Sequence, residues 1–377
     1  MKIGLILPLL AAGTILPVSA ETIQSLDVAI PSISSPVSSD GKRLLAFEVH
    51  ATNVTGVPLR LRNLRIIGAD DGQLIAAYSG EALRRRVVQR NALSGSSSSS
   101  EIVAAGGRAI VYVEADLAAA KSIREVRVEM EGTASDGRPF MLRSPEAAVD
   151  RTSIPILAPP FAKGTWVAVH DPSWARGHRR VIYTLAGRAR IPGRYAVDWV
   201  GVDGQGRTST GNPDRPADAV GYGAPVLAGA DGVVTATRGD MLEARSIAGN
   251  PAHALGDGSG NYVVLRVARD RYAFYEHLQP GSLLVRVGDH VRVGQQIGAL
   301  GFTGDTTGPH LHLHMADCSS PLACEGVPFL MMGMTDVGRY RSLSDLGVTR
   351  WQDDQARGRL GPEWPGYNVV MRFDSAG

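Results

Sequence analysis

The sequence predicts an all-β protein built in two parts. Short runs that alternate apolar and polar residues recur along the whole chain. Turn-forming residues, 44 Gly and 22 Pro, punctuate them. Almost no stretch shows the three-to-four-residue apolar spacing of a helix. At 377 residues the chain has room for two domains. A formal net charge of +2 with 20% charged residues describes an ordinary soluble protein and offers no basic footprint for nucleic acid.

Residues 1–20 read as a secretory signal peptide, with Lys2, an apolar run and Val18-Ser19-Ala20 as a small-residue cleavage site. Pro8, Gly13 and Pro17 interrupt the run, which argues against a membrane anchor, and no Cys follows Ala20 to take a lipid. No later segment is long enough to span a bilayer, so the expected address is periplasmic or extracellular. Within residues 21–150, alternation is clear at 44–52, 59–67, 109–114 and 123–130. Asp40-Gly41, Asp71-Gly72 and Asp136-Gly137 mark turns between these runs. Strands at such intervals predict an immunoglobulin-like β-sandwich. Residues 95–100, rich in Ser, read as a loop. Asn53-Val54-Thr55 fits a glycosylation pattern but falls where a turn is expected, and His50 reads as a strand residue. No catalytic set appears in this half, which leaves it a spacing or docking role. Residues 151–161, with Pro155, Pro159 and Pro160, read as a linker.

The remainder divides into a domain at 162–338 and a C-terminal extension at 339–377, whose run at 369–373 offers a final strand. Strands are expected at 181–184 and 195–200 around an Ala186-Gly187 turn, then at 225–228, 233–235, 262–267, 272–278 and 297–300. Gly256, Gly258 and Gly260 lead into a strand rather than a helix, so they form a hairpin loop and not a phosphate cradle. The most telling stretch is Gly308-Pro309-His310-Leu311-His312-Leu313-His314. Histidine at every second position puts imidazoles on one strand face and Leu311, Leu313 and Met315 on the other. Only 9 His occur in the chain, so three in alternation point to metal binding or catalysis. Cys318 and Cys324 flank a Pro-containing loop; in an oxidising compartment they are expected to form a disulfide, as their spacing does not suit a metal site. His170, His253 and His290 fall in loop and turn contexts.

Residues 223–315 resemble the lysostaphin/LytM-type zinc metallopeptidases. The resemblance rests on Gly223-Ala-Pro-Val226, Asp231-Gly-Val-Val234, Gly260-Asn261 and Tyr275-Glu276-His277-Leu278. Gly288-Asp289, Gly294-Gln295-Gln-Ile-Gly298, Gly301-Phe-Thr-Gly304 and Thr307-Gly-Pro-His-Leu-His312 extend it. It implies a duplicated-hybrid-motif β-barrel or sandwich and a zinc site in which Asp198 and His312 are ligands, with His277 and His310 catalytic. It further implies an exported peptidase acting on peptidoglycan peptide crosslinks. The family's first ligand lies four residues before the Asp; here that position is Arg194, whose guanidinium has no lone pair to offer. His178 or His314 is expected to supply the third ligand: His314 shares the His312 face, and a hairpin through Ala186-Gly187 brings residue 178 opposite roughly 194–198. Arg194 could orient Asp198, bind a substrate carboxylate or oxyanion, or form a structural ion pair. The alternative to an enzyme is an impaired domain that binds cell wall or regulates another hydrolase.

Overall fold

The strand Lys42–Asn53 is buried continuously from Leu45 to Ala51, so both of its faces are covered. Leu45, Phe47, Val49 and Ala51 point into one apolar core with Leu64, Ile66, Val111, Val113, Val126 and Val128. Two antiparallel sheets of the first half supply that core. One runs Leu26–Ala29, Lys42–Asn53, Arg108–Asp116, Val87–Arg90; the other runs Pro139–Arg143, Glu125–Ala134, Leu59–Gly68, Leu74–Ser79. The opposite face of Lys42–Asn53 carries Ala46, Glu48 and His50, and Ala46 belongs to the core of the second half. Asn53, the last residue of this strand, is fully buried, with its amide donating to the Val57 and Val103 carbonyls.

This is a computed structural model, and it describes residues 25–90, 97–98, 101–117, 123–171, 174 and 177–374. The expected signal peptide and most of the Ser-rich loop lie outside the described residues. Among the described residues no helix is long and apolar enough to cross a membrane.

A ten-stranded antiparallel sheet dominates the second half. Its order is His290–Val291, Gly232–Arg238, Tyr262–Ala268, Arg271–Glu276, Leu311–Ala316, Val197–Val202, Gly164–Val169, Val369–Phe373, Thr335–Arg339, Gly358–Arg359. Leu311, Leu313 and Met315 enter its core beside Val197, Trp199, Val263, Leu265 and Tyr275. Each such side chain contributes roughly 1.5–3 kcal/mol by leaving water. A hairpin forms around the Ala186-Gly187 turn, but between Tyr183–Leu185 and Arg188–Arg190. The strand expected to pair there, Val197–Val202, pairs instead with Gly164–Val169 and Leu311–Ala316. Ala186 and Gly187 have φ of 49° and 75°, the pair of positive values that a two-residue type I′ turn requires. Within residues 151–161, Ile156–Leu157 pairs in parallel with Leu330–Met331. Within residues 339–377, Val369–Phe373 pairs with both Gly164–Val169 and Thr335–Arg339.

Candidate metal centre

Three adjacent strands of the large sheet place one row of polar side chains on its open face. His312 is directly opposite Asp198 on one neighbour and Glu276 on the other. Residues opposite one another across strands have Cβ atoms about 4.5–5.5 Å apart, close enough to share a ligand. His312 Nδ1 lies 2.8 Å from Asp198 Oδ1, and His310 Nε2 lies 3.2 Å from the same oxygen. The other carboxylate oxygen, Oδ2, is 3.1 Å from His178 Nε2. His178 comes from a 3-10 turn, His178–Arg180, and its ring lies edge-on to that of His312 at 4.6 Å.

His277 reaches the row by a different route. The strand Arg271–Glu276 ends one residue earlier, and His277 has φ of 64°, a left-handed conformation that costs a non-glycine residue energy. Backbone bonds on both sides hold it there: its N–H donates to Ser259 and its carbonyl accepts from Gly301. The reversal lets two consecutive residues, Glu276 and His277, line the same cleft. His277 Nδ1 is 2.8 Å from the Thr303 carbonyl, so Nδ1 carries the hydrogen and Nε2 of the neutral ring is bare. His310 Nδ1 likewise faces the Gly308 carbonyl at 2.8 Å. Gly260 makes the close approach possible, since a Cβ there would come within 2.4 Å of the Thr303 carbonyl oxygen.

Burial and charge pull these groups apart. Burial would raise the Asp198 carboxyl, but His178 and His310 outweigh it and hold the group well below the usual carboxylate range. Burial lowers His277 far below ordinary imidazole, and His310 and His312 add to the effect. His310 is also buried, yet the Asp198 charge wins and raises it. Glu276 is pushed up to about 8 by burial, against a Ser259 hydrogen bond and with the Asp198 charge adding.

One donor atom each from His178, Asp198 and His312 lie within 4.8 Å of one another, as do those of His277, His310 and His312, and of Glu276, His312 and His314. The first set fits zinc by donor chemistry: two imidazoles and one carboxylate, beside an open cleft that leaves a fourth position to water or substrate. The cleft holds about 500 Å³ and is walled by Trp174, Tyr183, Leu255, Pro321 and Leu322. Cys318 and Cys324 are bonded and close the loop that carries Pro321 and Leu322.

His314 is turned to the far side of the row, stacked on Phe274 and 4.0 Å from Glu276, with neither ring nitrogen hydrogen-bonded. Arg194 does not reach the cleft. It is 5% exposed and paired with Glu48 at 2.7 Å and with Glu325. Of the three roles open to it the structure shows the structural ion pair and, among the described residues, no contact with Asp198 or with the cleft. Sequence reasoning missed Glu276, because a residue next to His277 should face the other way in a regular strand. It also missed Thr303 and Glu48, which no local pattern marks.

Imidazoles and a carboxylate converging in a sheet-lined cleft define the class of a metal-dependent hydrolase site. Residues 218–323 match the model of peptidase family M23, and they form an M23 peptidase domain of lysostaphin/LytM type. The chain is 45% identical over 74 residues to the peptidoglycan DD-endopeptidase ShyC of Vibrio cholerae, covering 17% of each protein. It is 38% identical over 97 residues to the peptidoglycan DD-endopeptidase ShyA of the same organism, covering 26% of this chain and 18% of that one. The chain thus spans less than a fifth of the length of these relatives. The catalytic domain of lysostaphin from Staphylococcus simulans aligns at 21% identity over 44% of this chain and 88% of that domain, with a TM-score of 0.24, too low to carry weight.

Proposed function

We propose that the protein is an exported zinc metallopeptidase that cuts peptide crosslinks of peptidoglycan in the periplasm or outside the cell. The observation that carries this is the convergence of His178, Asp198 and His312 beside His277 and His310 in one cleft. Distant relatives are peptidoglycan DD-endopeptidases, which supports the substrate class. In this reading residues 21–150 are an immunoglobulin-like sandwich, 151–161 a connecting segment, 162–338 the duplicated-hybrid-motif domain and 339–377 an extension of it.

His178, Asp198 and His312 would hold zinc, with His178 preferred over His314 because it reaches Asp198 Oδ2 while His314 faces Glu276. Bound zinc acidifies water towards neutral pKa and polarises a scissile carbonyl. His277, with Nδ1 committed to the Thr303 carbonyl, presents a bare Nε2 to take a proton from the attacking water. The protonated ring can then return that proton to the leaving amine. His310, with Nδ1 at the Gly308 carbonyl and Nε2 at Asp198, is held in its charged form and would stabilise the developing oxyanion. Leu278, next to His277, and Leu300, which it bridges, are fully buried, as is Phe302.

A second reading, an impaired domain that binds cell wall, is favoured by one observation: Arg194 occupies a position where the resemblance expects a ligand. Metal analysis and digestion of purified sacculi separate the two. Wild type should carry one zinc per chain and release peptide fragments, and His312→Ala should lose both properties. Equal digestion by His312→Ala would overturn the peptidase reading.

A further inference from the structure

The turn that carries His178 is not held by the peptidase half alone. Arg179, the next residue, is buried and inserts into the edge-on face of the first half. Its Nε donates to Glu48 Oε1 at 2.9 Å and its Nη1 to Glu114 at 2.8 Å. Its Nη2 donates to the carbonyls of Phe47 at 2.9 Å and Val113 at 2.7 Å. These acceptors belong to Lys42–Asn53 and Arg108–Asp116, neighbours in one sheet. Arg180, which follows, donates to the Arg85 carbonyl at 2.8 Å and lies over the Tyr112 ring. These four polar anchors of the Arg179 side chain all come from the first half.

Glu48 is the centre of this arrangement. It is 1% exposed, and its second oxygen accepts from Arg194 Nε at 3.0 Å and Nη2 at 2.7 Å. Arg194 is the residue that stands where the family places a ligand, four positions before Asp198. One carboxylate thus ties down both Arg194 and, through Arg179, the turn that carries His178. A buried carboxylate between two guanidiniums is rigid, because moving either arm would strand a charge away from water.

We propose that Glu48 is a positioning residue for the metal: through Arg179 it sets His178 at Asp198, so the first half completes the zinc site of the second. This rests on His178 being a ligand, as proposed above. Ligands held by outer-shell partners bind metal about 10- to 100-fold more weakly when the partner is removed.

The test measures zinc affinity of the full chain by chelator competition, with thermal midpoints of the metal-free proteins recorded alongside. Glu48→Gln should weaken zinc binding by about tenfold or more. His178→Ala should weaken it at least as much, and the double variant should bind no worse than His178→Ala. Glu325→Gln touches the network through Arg194 and should lower the midpoint while leaving zinc affinity unchanged. Should Glu48→Gln fail to fold, Glu114→Gln loosens the same arginine from its outer end and carries the same expectation. Wild-type affinity in the folded Glu48 or Glu114 variant overturns the proposal, as does additive loss in the double variant. Wild-type affinity in His178→Ala overturns the ligand assignment itself, a result distinguishable from the other two.

Discussion

At the scale of single residues, the histidines divide by what their other nitrogen does. His310 and His277 spend Nδ1 on backbone carbonyls, whereas His312 aims Nδ1 at Asp198. A ligand and a group that acts on the reacting atoms should therefore fail differently. His310→Gln is expected to keep stoichiometric zinc while kcat on peptidoglycan falls by about 10²–10³, the usual contribution of one oxyanion-stabilising group. Zinc content and turnover measured on one preparation check this, and parallel loss of metal would make His310 a ligand instead. The alternation His310, His312, His314 was legible in the sequence because period two needs only a strand. The different fates of the three were not, because they depend on neighbours brought in from residues 178, 198 and 276. His314 had the right spacing to be a ligand and ends against Phe274 and Glu276, since the strand's twist and its partner's register decide which imidazole meets Asp198.

Among the elements, the loop 318–324 shows how a short covalent closure serves a cleft. It follows the strand Leu311–Ala316, and its Pro321 and Leu322 wall the site. By the chain-entropy relation a closed loop this small stabilises the fold by about 2 kcal/mol. A Cys318→Ser, Cys324→Ser protein should lose about that much in urea unfolding, and its KM should rise more than its kcat falls, because the wall loosens while His277 and His310 stay seated. Unaltered KM in the double variant would separate the loop from substrate binding. The turn at Ala186-Gly187 was equally legible, being local and marked by its dipeptide, although the strand expected to pair across it pairs elsewhere. The strand pairings of Val369–Phe373 were not, for both partners lie earlier in the chain, Thr335–Arg339 nearby and Gly164–Val169 far back in sequence. Nothing in a local pattern carries that information.

For the whole molecule, the seam between the halves should set the response to acid. Lys42–Asn53 reads in sequence as an ordinary half-buried strand, but on its second face Glu48 is tied to Arg179 and Arg194 of the peptidase half, and His50 is buried beside it. His170 is buried nearby in the second half, with Nε2 2.9 Å from the Pro365 carbonyl and its ring against Trp364 and Tyr367. Burial lowers His170 to about 4, with the Pro365 bond opposing and His178 adding; burial and then Arg108 lower His50 to about 4. A histidine whose folded pKa is depressed leaves the unfolded chain binding more protons between the two values. Its contribution is therefore complete above about pH 6.5 and is lost as pH falls towards 4. For His170 the full loss is about 3 kcal/mol, at 1.36 kcal/mol per pKa unit. Glu276, raised to about 8, tilts the profile the other way, its contribution being lost as pH rises through that value, so absolute stabilities would mix the two. The difference between proteins isolates the histidine. Urea unfolding of metal-free wild type and His170→Gln at pH 7, 5.5 and 4.5 should give a shallower decline in the variant, and equal declines would place the acid sensitivity of the seam on His50 and the carboxylates instead.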